Sequence, residues 1–309
     1  MNEQTDVKKK GRPASGPTSF SPINPVSLIQ PPAKLPEIAL GRPMPDADLR
    51  DTFSQSAKLQ AQKTNVSGKT KIIFFIGRGR TGKSTNIRYH IAQLARKQKN
   101  FIALDADKTN PVLGQYIGGV GMPPSYEDEA IASWLSETIL SAIPHGIHVL
   151  VDFGGGDTSL AYVVRFLPHI VGSIEQMGGA VVTCCALGTS VDDLSPFANL
   201  YNLGFRPTAT AFLFNEAAAP TLHPSSFADI QAHSFYRRLT DEHAAVSLLI
   251  PALKVAQAVE ARRLNFFDAK EGAQPDTQAP PLRLFEQLIL GGWLANMEQV
   301  YQPVGSWFE

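Results

Sequence analysis

Cysteines, an excess of either charge and long apolar runs are all scarce in this sequence. The two cysteines, Cys184 and Cys185, are adjacent, so they cannot join distant segments and we expect small buried strand residues rather than cluster ligands. Lysine and arginine number 28, as do aspartate and glutamate, so overall charge gives no general requirement for nucleic acid. Apolar runs such as 178–187 are far shorter than the ~20 residues that span a bilayer. We therefore expect a cytoplasmic protein with no membrane partner.

Residues 1–69 form the part of the chain that is richest in proline, serine, glutamine and charge. They have no sustained hydrophobic period, which predicts a disordered tail. The basic run Lys8–Arg12, followed by Pro13, resembles half of an AT-hook, an element that binds the A·T minor groove. A solvated charge run is the alternative. A weak amphipathic pattern over 46–62 predicts either a docking helix or no structure.

From Lys71 onward, short apolar runs alternate with helical patterns. This alternation is typical of right-handed βαβ units, in which helices cover both faces of a parallel sheet. We therefore predict one three-layer α/β domain over residues 70–309. The predicted strands are 72–76, 101–104, 147–151, 180–185, 209–214 and 246–250. The predicted helices are 84–96, 126–143, 160–176, 191–202, 226–239, 255–264 and 281–300.

A glycine-rich turn follows the first predicted strand. Gly77, Gly82, Lys83 and Ser84 fit the spacing G-x-x-x-x-G-K-[S/T] of a phosphate-binding loop (P-loop). In such a loop backbone N–H groups surround phosphate oxygens, the lysine neutralises the β- and γ-phosphates and the hydroxyl binds Mg²⁺. An accidental glycine turn is the alternative, but the strand before and the helix after are the context that the motif requires. The predicted nucleotide-binding residues here are Gly77, Gly79, Arg80, Thr81, Gly82, Lys83, Ser84 and Thr85. The fold class is therefore the three-layer P-loop NTPase fold.

Polar residues follow several other predicted strands. Asp152 ends an apolar run in the manner of a Walker B aspartate, which predicts that it holds Mg²⁺ together with Ser84. Asp107 ends the second strand region, and Asn215 ends the fifth, where a carboxamide can read an adenine edge. Helix capping is the alternative for each aspartate, and a turn role is the alternative for Asn215.

These residues together resemble the ParA/MinD family of deviant-Walker-A ATPases over roughly residues 71–296. The family loop reads K-G-G-x-G-K-[S/T], and the segment Arg78–Ser84 follows it with Arg78 at the signature lysine and Arg80 at a glycine. The segment 152–156 is similar to the family's switch D-x-P-P-G, with glycines at the prolines. The resemblance implies ATP and Mg²⁺ as cofactors and a dimer that forms when ATP is bound.

The same resemblance implies roles for individual residues. Asp107 would orient the attacking water, and Arg78 would contact the partner's phosphates across the dimer, so that Lys83, Asp107 and Arg78 form the catalytic set. Asn215 and Pro251 would contact the base.

Three function classes follow from these residues. The leading hypothesis is a Mg²⁺-ATP-dependent switch ATPase that acts on an adaptor or cargo protein in plasmid partition, maintenance or conjugative transfer, with DNA bound by the tail or the folded domain. A metabolic P-loop enzyme, such as a small-molecule kinase or a carboxylate-activating synthetase, is the second, with Arg165, His169 and Arg206 as its candidate substrate residues. A module that holds nucleotide without hydrolysis is the third.

Overall fold

The computed structural model describes residues 47–156, 158–219, 221–223 and 225–309. The basic run Lys8–Arg12 and most of the predicted tail lie outside these residues.

A single sheet of six parallel strands forms the centre of the protein, in the order β2-β3-β1-β4-β5-β6. The strands are β1 Thr70–Ile76, β2 Phe101–Asp105, β3 His148–Asp152, β4 Gly179–Leu187, β5 Ala209–Asn215 and β6 Val246–Ile250. Every residue of β1 and β4 is buried, as expected for continuous apolar runs in a sheet that is covered on both faces. The predicted three-layer α/β fold and all six predicted strands are confirmed.

Eleven α-helices lie in the described residues. They are α1 Ala47–Ala61, α2 Lys83–Arg96, α3 Asp128–Ala142, α4 Ser159–Phe166, α5 Ile170–Gln176, α6 Ser195–Asn202, α7 Ala228–Ala232, α8 Ser234–Glu242, α9 Ala256–Glu260, α10 Phe266–Lys270 and α11 Leu284–Tyr301. One face of the sheet packs against α3 to α8, and the opposite face against α2 and α9 to α11. No helix in the described ranges is long and apolar enough to cross a bilayer.

Two predicted helices are each divided in the structure. The pattern over 160–176 becomes α4 and α5, because Pro168 disfavours helical geometry at Leu167, whose backbone has φ −127° and ψ 67°. The pattern over 226–239 becomes α7 and α8, because the backbone of His233 is extended and the His233 side chain caps α8. A period of 3.6 residues continues through such breaks, so periodicity alone did not reveal them.

The folded domain begins near residue 47, at the start of α1, and not at residue 70 as the sequence predicted. Leu49 and Phe53 are buried in one core cluster and Ala57 in the other. The ring of Phe53 packs edge-on against Phe214 of β5 at 5.1 Å between centroids. The weak amphipathic pattern therefore belongs to a helix that packs beside the edge strand β6, and its polar composition concealed that burial.

We expect Phe53→Ala to destabilise the protein by ~3–5 kcal/mol, because it leaves a cavity in the core. Leu59→Ala on the same helix is the matched control, since Leu59 is 60% exposed and its loss should change stability by less than ~0.5 kcal/mol. Urea unfolding measures both. Equal small effects would mean that α1 does not pack as described.

Candidate functional site

The loop between β1 and α2 lies where the strand order reverses, with β3 on one side and β4 on the other. Gly77 has φ +138°, and a Cβ there would lie 2.4 Å from the carbonyl oxygen of Ala186. Gly82 has φ +92°, and its Cβ would lie 2.9 Å from the Asn215 amide nitrogen. Both positions therefore require glycine, which explains why the motif has glycines at these two places.

The first turn of α2 presents backbone donors to the loop. Asn86 is the first residue of this helix whose N–H bonds back, to Gly82 O at 3.1 Å, so the N–H groups of Lys83, Ser84 and Thr85 precede the helical ladder. Lys83 is buried, and its Nζ donates to Arg78 O at 3.3 Å. These donors and the helix dipole form a cradle for anionic oxygens.

Ser84 and Asp152 meet at the ends of α2 and β3. Ser84 Oγ donates to Asp152 Oδ2 at 2.9 Å, while the buried Asp152 Oδ1 has no partner among the described residues. Burial raises the pKa of Asp152 to about 7, against the opposing effects of Lys83 and of the Ser84 hydrogen bond. An all-oxygen donor pair with a buried, unsatisfied carboxylate oxygen fits Mg²⁺. No group of three or more metal-binding side chains occurs in the described chain, so the remaining ligands would be water and phosphate.

The two aspartates at the end of β2, Asp105 in the strand and Asp107 beyond it, have different environments. Asp105 is buried, accepts from the N–H groups of Asp107 and Leu113, and has a pKa raised by burial. Asp107 Oδ1 accepts three hydrogen bonds, from Thr109 N at 2.8 Å, Thr109 Oγ1 at 2.7 Å and Asn110 N at 3.0 Å. Burial alone would raise the pKa of Asp107, but these hydrogen bonds and the charge of Lys83 hold it below its usual value. Asp107 is therefore an anion at neutral pH.

The glycine segment 153–156 packs against the other parts of the site. A Cβ on Gly154 would lie 2.6 Å from Asp107 Oδ1, and a Cβ on Gly155 would lie 2.4 Å from Gly79 N. The segment therefore contacts both Asp107 and the P-loop. A side chain at Gly154 would displace Asp107, and one at Gly155 would displace the P-loop backbone.

Arg78 is held within its own chain. Its guanidinium lies 3.6 Å from an oxygen of Asp192 and 3.7 Å from an oxygen of Asp193. Asp193 is buried, and its other oxygen accepts from Gly188 N at 2.8 Å. Arg78 and Asp192 are substantially exposed, so this contact is weakly held.

Asn215 is the last residue of β5, and Pro251 directly follows the neighbouring strand β6. Asn215 Nδ2 donates to Thr81 O at 3.1 Å and its Oδ1 accepts from Ala217 N at 3.0 Å, so both ends of the carboxamide already contact backbone. Pro251 O accepts from Trp293 Nε1 at 2.9 Å. The structure thus brings Asn215 to the P-loop, while base reading by Asn215 and Pro251 stays a prediction.

A cleft of about 740 Å³ opens beside the P-loop, between the glycine segment, α4 and α6. Its walls carry Arg78 and Arg165, the acid Asp192, and the amides Asn199 and Asn202. Of the three substrate residues predicted for a metabolic enzyme, only Arg165 lines this cleft. His169 and Arg206 line a separate depression.

No protein-family model and no curated protein matches this chain. Among solved structures, the GDP complex of the signal recognition particle receptor FtsY from Elizabethkingia anophelis is 14% identical with a TM-score of 0.39, over 66% of each chain. MinD in the MinC:MinD complex of Aquifex aeolicus is 14% identical with a TM-score of 0.43, over 74% of this chain and 96% of that one. FtsY from the chloroplast of Physcomitrella patens is 12% identical with a TM-score of 0.42, over 66% and 68%. Likeness at this level concerns architecture alone.

The parallel sheet, with a glycine-dependent loop between β1 and α2 at the reversal of strand order, has the arrangement of a P-loop NTPase-like fold. Within it, sequence reasoning did not identify three acidic side chains that contact parts of the site. Asp193 holds Arg78, Asp128 on α3 contacts the segments after β2 and β3, and Glu216 accepts from Ala252 N at 3.3 Å and from Arg50 of α1 at 2.8 Å. The sequence signal for Glu216 and Asp193 was that they follow strands, and Asp128 had only the spacing of a helix start, three positions after Ser125.

Arg80→Gly is expected to leave the protein more stable than Arg78→Gly by ~1 kcal/mol. Arg80 has φ +68°, a left-handed conformation that costs a side-chain-bearing residue ~1–2 kcal/mol and costs glycine nothing. Arg78, two residues earlier in the same loop, is not among the residues with positive φ and serves as the control. Urea unfolding compares them. Greater destabilisation by Arg80→Gly would contradict the strained loop.

Proposed function

We propose that this protein is a Mg²⁺-ATP-dependent molecular switch of the ParA/MinD type, in which ATP binding drives dimerisation and slow hydrolysis reverses it. The supporting observation is the convergence of three elements, namely the P-loop, the Ser84–Asp152 pair, and the close contact of Asp107 with Gly154. This contact matters because it lets a change at the terminal phosphate reach the segments after both β2 and β3.

Each residue has a defined part in this proposal. The N–H groups at the start of α2 bind phosphate oxygens, and Lys83 neutralises the charge that develops on the β- and γ-phosphates. Ser84 and Asp152 would hold Mg²⁺, which supplies electrostatic stabilisation of phosphate charge. Because the three hydrogen bonds to Asp107 end on Oδ1, its Oδ2 is the oxygen that can accept from a water. With a low pKa this carboxylate orients the water rather than removing its proton.

Arg78 is the residue proposed to contact the partner's phosphates in the dimer. It must first leave Asp192 and Asp193, and both contacts are weak, because at 3.6 and 3.7 Å they are longer than hydrogen bonds and the guanidinium is half-exposed. A phosphate is a stronger partner for a guanidinium, because it offers bidentate, charge-assisted hydrogen bonds. In the monomer the two aspartates thus hold Arg78, and breaking this contact on dimerisation costs little free energy.

The cargo we propose is a plasmid, acted on through an adaptor protein in partition, maintenance or conjugative transfer. DNA binding by the tail is part of this proposal, because Lys8–Arg12 supplies four cations. Four phosphate contacts predict a log–log salt slope of about −3.6.

One observation favours a second candidate function. The cleft beside the P-loop places Arg78 and Arg165 among amide side chains, a lining that suits an anionic phosphoryl acceptor. In that case the protein would be a small-molecule phosphotransferase, with turnover that depends on the acceptor.

Three measurements on the purified protein separate these functions. Nucleotide binding, turnover and sedimentation are compared with ATP, ADP and GTP, and with ATP plus duplex DNA. A switch hydrolyses ATP without an added acceptor and sediments as a dimer with ATP but not with ADP. A monomer in every nucleotide state that hydrolyses ATP only with an added acceptor supports the phosphotransferase. Binding without hydrolysis or dimerisation overturns both proposals.

A further inference from the structure

Asp128, on the first turn of α3, contacts two segments of the site at once. Its carboxylate is ion-paired with Lys108 Nζ, in the segment that follows β2. It also accepts from Thr158 Oγ1, at 3.0 Å on Oδ1 and 2.8 Å on Oδ2, in the segment that follows β3. One carboxylate therefore connects three segments that are far apart in sequence.

Both partners of Asp128 adjoin residues already placed in the site. Lys108 is the residue after Asp107, and Thr158 follows the glycine segment and directly precedes α4. The segments after β2 and β3 thus contact each other at Asp107 and Gly154, and are joined a second time through Asp128. Two separate contacts restrict relative rotation, which a single contact does not.

The surroundings of Asp128 favour a persistent contact. The side chains of Lys108 and Asp128 are 23% and 33% exposed, so solvent screens their attraction less than it screens a fully exposed pair. Burial alone would raise the pKa of Asp128, but the hydrogen bonds from Lys108 and Thr158 hold it below its usual value. The carboxylate therefore stays charged at neutral pH.

We propose that Asp128 is a positioning residue, which makes the segment 107–112 respond together with the glycine segment 153–156 and Thr158 when nucleotide binds. This role rests on the proposed switch function. A terminal phosphate that moves the glycine segment would, through Thr158, Asp128 and Lys108, bring Asp107 to the position where it orients water. Without this connection each segment responds on its own, and Asp107 samples more positions.

The test uses Asp128→Asn and a charge exchange that combines Lys108→Asp with Asp128→Lys. Asp128→Asn keeps an acceptor for Thr158 but loses the charge that pairs with Lys108. We expect it to lower kcat for ATP ~10-fold while KM and the Kd for ATP stay within ~2-fold of the parent values. The charge exchange rebuilds the ion pair in reverse and should recover kcat to within ~3-fold of the parent, whereas each of its single substitutions should not. Glu129→Gln, on the adjacent and exposed position of α3, removes the same charge and should change nothing.

Hydrogen exchange gives a second, independent readout. In the parent protein, the non-hydrolysable analogue of ATP should protect the backbone amides of both 107–112 and 153–156. In Asp128→Asn it should protect only 153–156, since that segment contacts the P-loop directly. A purely structural role would instead lower the thermal midpoint and protection throughout the domain.

The outcomes distinguish this inference from the proposed function. If the parent binds and hydrolyses ATP while Asp128→Asn shows the parent's kcat and protects both segments, the positioning role is wrong and the switch function stands. If the charge exchange fails to recover kcat although it folds, the ion pair is not the connection. A parent that neither binds nor hydrolyses nucleotide overturns the proposed function and this role with it.

Discussion

Lys83→Ala should abolish measurable ATP turnover, with a loss on the order of 10²–10³-fold or more, while leaving the fold intact. Lys83 is the only lysine in the P-loop, and it is buried at the start of α2 with Arg78 O as its hydrogen-bond acceptor. Without it, the P-loop has no lysine charge to neutralise the β- and γ-phosphates and offers them only backbone dipoles and the proposed Mg²⁺. Titration with a fluorescent ATP analogue and phosphate release measure the effect.

The fold should survive this substitution because the single bond from Lys83 to Arg78 O is long, at 3.3 Å, and removal of a buried ammonium also removes its desolvation cost. Lys99→Ala is the matched control. Lys99 is exposed and precedes β2, so it lies at the ends of the parallel strands that are opposite to the P-loop. Unchanged affinity and turnover in folded Lys83→Ala would exclude the P-loop as a nucleotide site.

Asp107→Asn should bind Mg²⁺-ATP as the parent does and hydrolyse it ~10²-fold more slowly. The asparagine oxygen can still accept the hydrogen bonds from Thr109 and Asn110, so the turn after β2 is kept. The substitution replaces Oδ2, the oxygen that we propose orients the attacking water, with an NH₂ group and removes the negative charge of the carboxylate. Single-turnover hydrolysis, measured beside ATP affinity, separates the two effects.

Asp107→Ala is the companion variant, because it removes the charge and the turn contacts together. If turn formation is the whole role of Asp107, the alanine variant is impaired and the asparagine variant hydrolyses ATP at the parent rate. If water orientation is the role, both variants are slow and the ATP-bound dimer persists in both. Parent-rate hydrolysis by the two variants would remove Asp107 from the mechanism.

Local patterns were sufficient for the sheet and for the P-loop. All six strands are predominantly apolar runs that are followed by turn residues. A parallel strand that is buried on both faces has such an apolar composition. The spacing from Gly77 to Ser84 also specified local geometry, since Gly77 and Gly82 have φ +138° and +92°, which favour glycine. The Ser84–Asp152 pair could be expected because strand ends of a parallel sheet meet at one edge.

Only the tertiary structure revealed the partners of these residues. The start of the domain depended on α1, whose weak apolar pattern gave no sign that Phe53 packs on Phe214. The sequence predicted that Asn215 reads a base. Its hydrogen bonds to the backbone of Thr81 and Ala217 depend on the tertiary structure, which brings the end of β5 to the P-loop. The helix break at Pro168 differs from these cases. The proline in the sequence was itself a signal for the break, although the helical pattern continued through it.

The sequence by itself determined the layered α/β architecture, the phosphate-binding loop and the acids at the strand ends, because each follows from hydrophobic periodicity or from a short motif whose geometry is local. The tertiary structure decided which distant charges meet. Arg78 pairs with Asp192 and Asp193, and Asp128 joins Lys108 to Thr158, across separations that no spacing rule encodes. The physical reason is that such pairs depend on how the layers pack, and packing is a property of the whole chain.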